Sequence, residues 1–189
     1  MIRSIALQYE QAPTWAKNVV LVVGASLVLG LFANVAIPLP FTPVPVVTQN
    51  SMVLLLAVLL GSKRAVAAVT LFLAQAAMGL PVCAGGTGGI AKFAGPTAGY
   101  LLGYLVAAFV VGKLMETRKR SAFNVFWTMG IGNALMFLFG AAWLSSFIGP
   151  QKAIALGVTP FILGDLIKLL LSQNILQWVG YIKPRGVQN

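Results

Sequence analysis

Asp165 and Lys168 are the residues of this 189-residue chain whose types and spacing point most directly to chemistry. Both stand inside an otherwise apolar run, residues 160–182. Three positions apart on a helix, two side chains share a face and can meet. Asp165 is the only carboxylate inside an apolar run, because Glu10 and Glu116 lie between or before such runs. A charge in hydrocarbon costs about 2.5–3.5 kcal/mol even on a lenient insertion scale, so both groups must be paired or hydrated. One solution is a buried ion pair that holds the fold together. The other is a site that hydrogen-bonds a polar ligand, offering an acceptor and a donor side by side. The second is favoured because two unusual connecting segments are expected at the same depth.

The first of these segments is Ile37-Pro-Leu-Pro-Phe-Thr-Pro-Val-Pro45. Each proline lacks a donor and fixes φ, so the segment is extended rather than helical. It is nearly all apolar, which fits either a stiff connector on a membrane surface or a wall folded over a pocket, with Thr48, Gln49 and Asn50 just beyond it. The second segment is Gly79-Leu-Pro-Val-Cys-Ala-Gly-Gly-Thr-Gly-Gly89, followed by Gly95-Pro-Thr-Ala-Gly-Tyr100. Glycines this dense let backbone N–H groups approach something bound. A phosphate loop is excluded by the missing Gly-Lys-Ser/Thr ending. A ligand-contacting loop is favoured over a flexible tether, since Pro81 and Pro96 restrict the flanks.

Catalysis has little to work with. There is no histidine, and one buried carboxylate forms no acid/base dyad. A Ser–Lys dyad on Lys168 is the only formal route to an intramembrane enzyme, and no metal or cofactor motif is present, so the chain is not expected to be an enzyme. Cys83 is the sole cysteine, so no internal disulfide forms.

The elements that position these groups follow from composition. Hydrophobic residues make up 59% of the chain and charged residues 8%, against about 25% charged in a soluble domain, which points to a bilayer. Apolar runs at about 15–37, 46–61, 65–80, 96–114, 123–148 and 160–182 predict an all-α, polytopic protein with six spans in a single membrane domain over residues 1–189. The second and third runs are short and call for buried, irregular backbone at one end. The net charge of +10 does not indicate nucleic acid, because the basic residues occupy short gaps between apolar runs. Arg3, Lys17, Lys63, Arg64, Lys113, Arg118, Lys119, Arg120, Lys183 and Arg185 fall on one side, with Lys92 and Lys152 on the other. The positive-inside rule then predicts that both termini are cytoplasmic. The polar N-terminus does not read as a cleaved signal peptide. No nucleotide-binding motif or inverted repeat is evident, so uptake would draw its energy from a partner or a gradient.

Pro43-Val-Pro-Val-Val-Thr-Gln49, Gly79-Leu-Pro-Val, Gly85-Gly-Thr-Gly-Gly89, Gly95-Pro-Thr-Ala-Gly-Tyr-Leu-Leu-Gly-Tyr104 and Pro160-Phe-x-x-Gly-Asp-x-x-Lys168 together resemble the BioY family. These are the biotin-specific substrate-capture (S) subunits of energy-coupling-factor (ECF) transporters. The resemblance covers nearly the whole chain. It implies a six-helix S-component fold in a bacterial cell (inner) membrane, with biotin held near the outer face. Asp165 and Lys168 would meet the biotin head group, Thr87 and the neighbouring Gly86 and Gly88 would contribute from the glycine run, and Gln49 from the proline segment. Leu80, Val82 and Tyr100 would wall the apolar part of the ligand. The valerate carboxylate would take either glycine-run N–H groups or Lys92. Another vitamin on the same scaffold is the rival reading. Ala98 stands where the family usually has glycine, Leu163 where it usually has proline, and Leu101 where some members carry a basic residue. The resemblance also implies an ECF coupling subunit and ATPases as partners, docking through small residues of the first helix: Ala12, Ala16, Gly24, Ser26 and Gly30.

Overall fold

The computed structural model describes residues 13–182. The long helices α1 (Thr14–Ala33), α4 (Ala98–Thr117) and α5 (Ala122–Ile148) match the first, fourth and fifth apolar runs. The second run was expected as a short spanning helix from about residue 46 with irregular backbone at one end, and its start, Val46–Val47, is a strand (β2) paired antiparallel with Ala36–Ile37 (β1). Helix α2 is therefore only Gln49–Leu60, about 18 Å long at 1.5 Å per residue. Helix α3 runs Ser62–Ala77, starting earlier than expected because α2 and α3 meet with no loop. Gly61 alone makes the corner at φ 77°, a left-handed value that favours glycine. Glu116 of α4 serves this corner: its Oε1 accepts from the Ser62 N–H at 2.9 Å and from the Ser62 hydroxyl at 2.6 Å. A carboxylate there meets the unpaired donors of the first turn of α3 and the positive end of its dipole.

The sixth run differs most. Before it comes an unexpected helix, α6 (Pro150–Gly157), and a 3₁₀ turn, Thr159–Phe161, leads into α7 (Ile162–Trp178). Gly149 at φ 81° and Pro150 at the first helical position separate α5 from α6. Counting residues 150–178 as one stretch, four stretches among the described residues are long and apolar enough to cross a membrane.

Small residues set how closely the helices approach. Gly99 and Gly103 lie on the face of α4 that meets α5, and a Cβ on Gly103 would come within 2.9 Å of the Met136 Cα. Ala107 continues this stripe and is fully buried. In an apolar medium such stripes let backbones pack tightly, where dispersion is the main gain. Outward-facing Val, Leu, Ile, Phe and Trp residues cover the bundle, with Trp15, Leu163 and Trp178 at least 70% exposed. A large apolar exterior of this kind is a surface for lipid.

Helix α1 corrects part of the expectation for a docking partner. Ser26 and Gly30 are buried against the chain's own core. Ser26 accepts from the Gln75 amide at 3.4 Å, and a Cβ on Gly30 would meet the Val82 side chain at 3.1 Å. Their small-xxx-small spacing does permit a close approach, but the element that approaches belongs to the same molecule. Gly24 faces outward with nothing near it, and Ala16 is half-buried. Ala12, with Arg3, Lys183 and Arg185, lies outside the described residues.

Candidate binding site

The proline segment forms the loop of the β1–β2 hairpin, and Thr42 anchors it. The Thr42 hydroxyl donates to the Leu156 carbonyl at 2.9 Å and accepts from the Val44 N–H at 3.2 Å. Val44 is buried with Leu144, Ala153 and Phe161. Of the two sequence readings, connector or wall, the structure therefore takes the wall. The glycine run is pinned as well: the Cys83 N–H donates to the Thr87 carbonyl at 2.8 Å, and the Gly89 N–H to the Ala76 carbonyl at 2.7 Å. Both loops, the start of α4 and the start of α7 enclose a cavity of about 600 Å³. Small-molecule sites run from about 300 to 1,000 Å³, so the size suits a vitamin-sized ligand.

Asp165 and Lys168 border this cavity on the first two turns of α7. The Lys168 ammonium donates to Asp165 Oδ1 at 2.7 Å, to the Val47 carbonyl at 2.7 Å and to Asn50 Oδ1 at 3.4 Å. Asn50 in turn donates from Nδ2 to Asp165 Oδ2 at 2.8 Å. Asp165 is 3% exposed. Two charges buried this deeply persist only when their remaining donors and lone pairs are met, and Asn50 meets one on each partner. Asn50 was only one of three polar residues after the proline segment, and its spacing from Asp165, 115 positions, is visible only in the fold.

The other expected residues divide. Gln49 borders the cavity, 2% exposed, and its amide donates to the Leu29 carbonyl at 3.1 Å, tying α2 to α1. Thr87 borders it too, with its hydroxyl turned back to the Ala84 carbonyl at 2.9 Å. Tyr100 borders it with its hydroxyl committed to the Gly157 carbonyl at 2.7 Å, so it offers the cavity mainly its ring. Gly86 and Gly88 do not border it, and Gly85 does. The bare side of Gly88 is pressed against the Leu80 carbonyl, and that of Gly86 faces the Asn34 side chain. Leu80 and Val82 do not form the apolar wall either; Val44, Leu101, Met136 and Phe137 do. Lys92 borders the cavity with no carboxylate partner among the described residues. Burial raises the Cys83 thiol above its ordinary range, with Lys92 opposing weakly, so this bordering cysteine stays protonated. No group of three or more potential metal ligands occurs among the described residues.

Comparison with known proteins identifies the family. The BioY family model matches residues 5–183. The chain belongs to the BioY family. The biotin transporter BioY of Rhodobacter capsulatus is 39% identical over 180 residues, 84% of this chain and 94% of that one. The biotin transporter BioY of Thermotoga maritima is 38% identical over 141 residues, 74% and 82% of the respective chains. A crystal structure of the S-component for biotin from an ECF-type ABC transporter superimposes with a TM-score of 0.80 at 32% identity, over 89% of this chain and 94% of that one. BioY proteins are transporters, so the chain is a multi-pass membrane protein of a transport family and not an enzyme. Of its departures from the BioY pattern, Leu101 lies in the cavity wall and the other two do not border the cavity. Ala98 is buried at the start of α4, and Leu101 borders the cavity as an apolar residue. Leu163 is 70% exposed and does not border the cavity.

Proposed function

We propose that the chain captures biotin for uptake, as the substrate-binding subunit of an ECF transporter in a bacterial cell membrane. The observation that carries this reading is the Asp165–Lys168–Asn50 cluster at the polar end of an otherwise apolar, loop-covered cavity. Biotin has a urea head with two N–H donors and one acceptor, an apolar bicyclic body and tail, and a terminal carboxylate. The two oxygens of Asp165 suit the N–H donors. A site built on buried hydrogen bonds rejects ligands that leave its groups unpaired, which favours biotin over other vitamins. In this reading the short helices α2 and α3 complete six crossings, and both termini face the cytoplasm, with the cavity mouth outside. A coupling subunit docks on the outward face of α1 around Ala16 and Gly24, and ATPases supply the energy.

Labelled biotin should accumulate in cells that express the chain with an energy-coupling module, and unlabelled biotin, but not riboflavin or thiamine, should compete. Accumulation that riboflavin or thiamine suppresses equally would contradict the assignment.

Lys92 is assigned to the carboxylate. Two lysines and one aspartate border the cavity, leaving one net positive charge for an anionic ligand. Lys92→Gln should weaken biotin binding about fivefold, roughly 1 kcal/mol, a charge-assisted bond discounted for partial exposure. Biotin amide, which has no carboxylate, should bind both forms alike. Equal losses for the two ligands would move the carboxylate to the glycine-run N–H groups.

A further inference from the structure

Donor accounting at the polar end of the cavity leaves the ligand's acceptor unserved. An ammonium has three donors, and those of Lys168 go to Asp165, Val47 and Asn50. The carboxylate of Asp165 still has lone pairs for N–H groups, but the urea oxygen of a bound biotin needs a donor from elsewhere. Tyr104 of α4 and Asn133 of α5 both border the cavity, at 5% and 9% exposure. Neither side chain makes a hydrogen bond among the described residues. Every other buried oxygen- or nitrogen-bearing side chain on the cavity, Thr42, Gln49 and Asp165, has a partner. The fully enclosed polar atoms without a partner among the described residues are Gln75 Oε1 and Thr128 Oγ1, neither on the cavity, so the unbonded Tyr104 hydroxyl and Asn133 amide open onto the cavity itself, where a ligand can meet them. Tyr104 and Asp165 border the same cavity.

We propose that the Tyr104 hydroxyl and the Asn133 amide donate to the urea oxygen of biotin and so complete the head-group pocket. The proposal rests on the biotin reading and adds two ligand-contacting residues to it. A carbonyl oxygen has two lone pairs and can take both donors at once, one from each helix. Helix α4 is held against α5 through the Gly103–Met136 contact, which fixes the two donors relative to one another.

The test compares biotin with 2-thiobiotin, in which sulfur, a weak acceptor, replaces the urea oxygen. Affinities of both ligands are measured for the full chain in detergent and for Tyr104→Phe and Asn133→Leu. Each variant should weaken biotin at least tenfold while changing 2-thiobiotin much less, so the preference for oxygen shrinks. Tyr104→Phe removes a single atom and leaves the ring in its packing, so it decides the matter even if Asn133→Leu does not fold. A preference unchanged in Tyr104→Phe, with wild-type binding intact, overturns this inference and leaves the biotin reading standing. A folded wild-type chain that binds neither ligand overturns both.

Discussion

Asp165→Asn should weaken biotin binding by at least about 2 kcal/mol, roughly thirtyfold, the scale of a lost charge-assisted hydrogen bond. In the native arrangement Oδ1 accepts from Lys168 and Oδ2 from Asn50. An asparagine keeps the shape but must turn its NH₂ toward one of these donors, setting donor against donor. The remaining amide oxygen also lacks the charge that attracts the N–H groups of a urea. Lys168→Ala should act from the other side, leaving the Asp165 carboxylate, 4% exposed, with Asn50 alone. A purely structural ion pair makes a different prediction: both variants would lose stability and, where folded, bind as before. Isothermal titration with biotin beside thermal melting in detergent separates the two. Equal affinity in a well-folded variant would sink the functional role.

The second large effect is expected far from the cavity. A Cβ on Gly112 would lie 2.5 Å from both the Cα and the N of Ser62, closer than real Cβ contacts come, and these atoms are backbone at the α2–α3 corner. No rotamer change relieves such a clash, so Gly112→Ala must move α4 off the corner. That shift would also loosen the Glu116 bonds to Ser62. Overpacking of this kind costs about 1–3 kcal/mol. The variant should melt at a markedly lower temperature, while its folded fraction binds biotin normally because the cavity lies at the other end of α4. A melting temperature equal to wild type would show that the corner is looser than its geometry indicates.

Much of the helical architecture was legible because long apolar runs in a bilayer protein mark helices. The boundaries that moved did so where an apolar pattern alone does not decide conformation. Val46 and Val47 lean toward strand, as β-branched residues do, but an apolar pair also continues a spanning run, and the pairing with Ala36 and Ile37 decides. Residues 150–157 contain Pro150, Gln151 and Lys152 and read as a loop, yet proline at a first helical position starts a helix as readily as it ends one. Spacing alone also could not show that Ser26 and Gly30 serve an internal neighbour.

At the cavity, Asp165 and Lys168 stood out because a charge in an apolar run demands a reason. Asn50, Tyr104 and Asn133 did not, since amides and tyrosines in helices of this type are ordinary and their meaning depends on what faces them across the bundle. The glycine run marked a loop that borders the cavity, but through Gly85, while Gly86 and Gly88 face the Asn34 side chain and the Leu80 carbonyl.

The most direct test of the central claim is equilibrium binding of biotin to the detergent-purified chain, with riboflavin and thiamine as controls. The account predicts saturable binding of biotin alone, one ligand per chain, lost in Asp165→Asn. Folded protein that ignores biotin, or that takes up riboflavin or thiamine equally well, would contradict it and return Asp165 and Lys168 to the role of a buried pair holding α7 to α2.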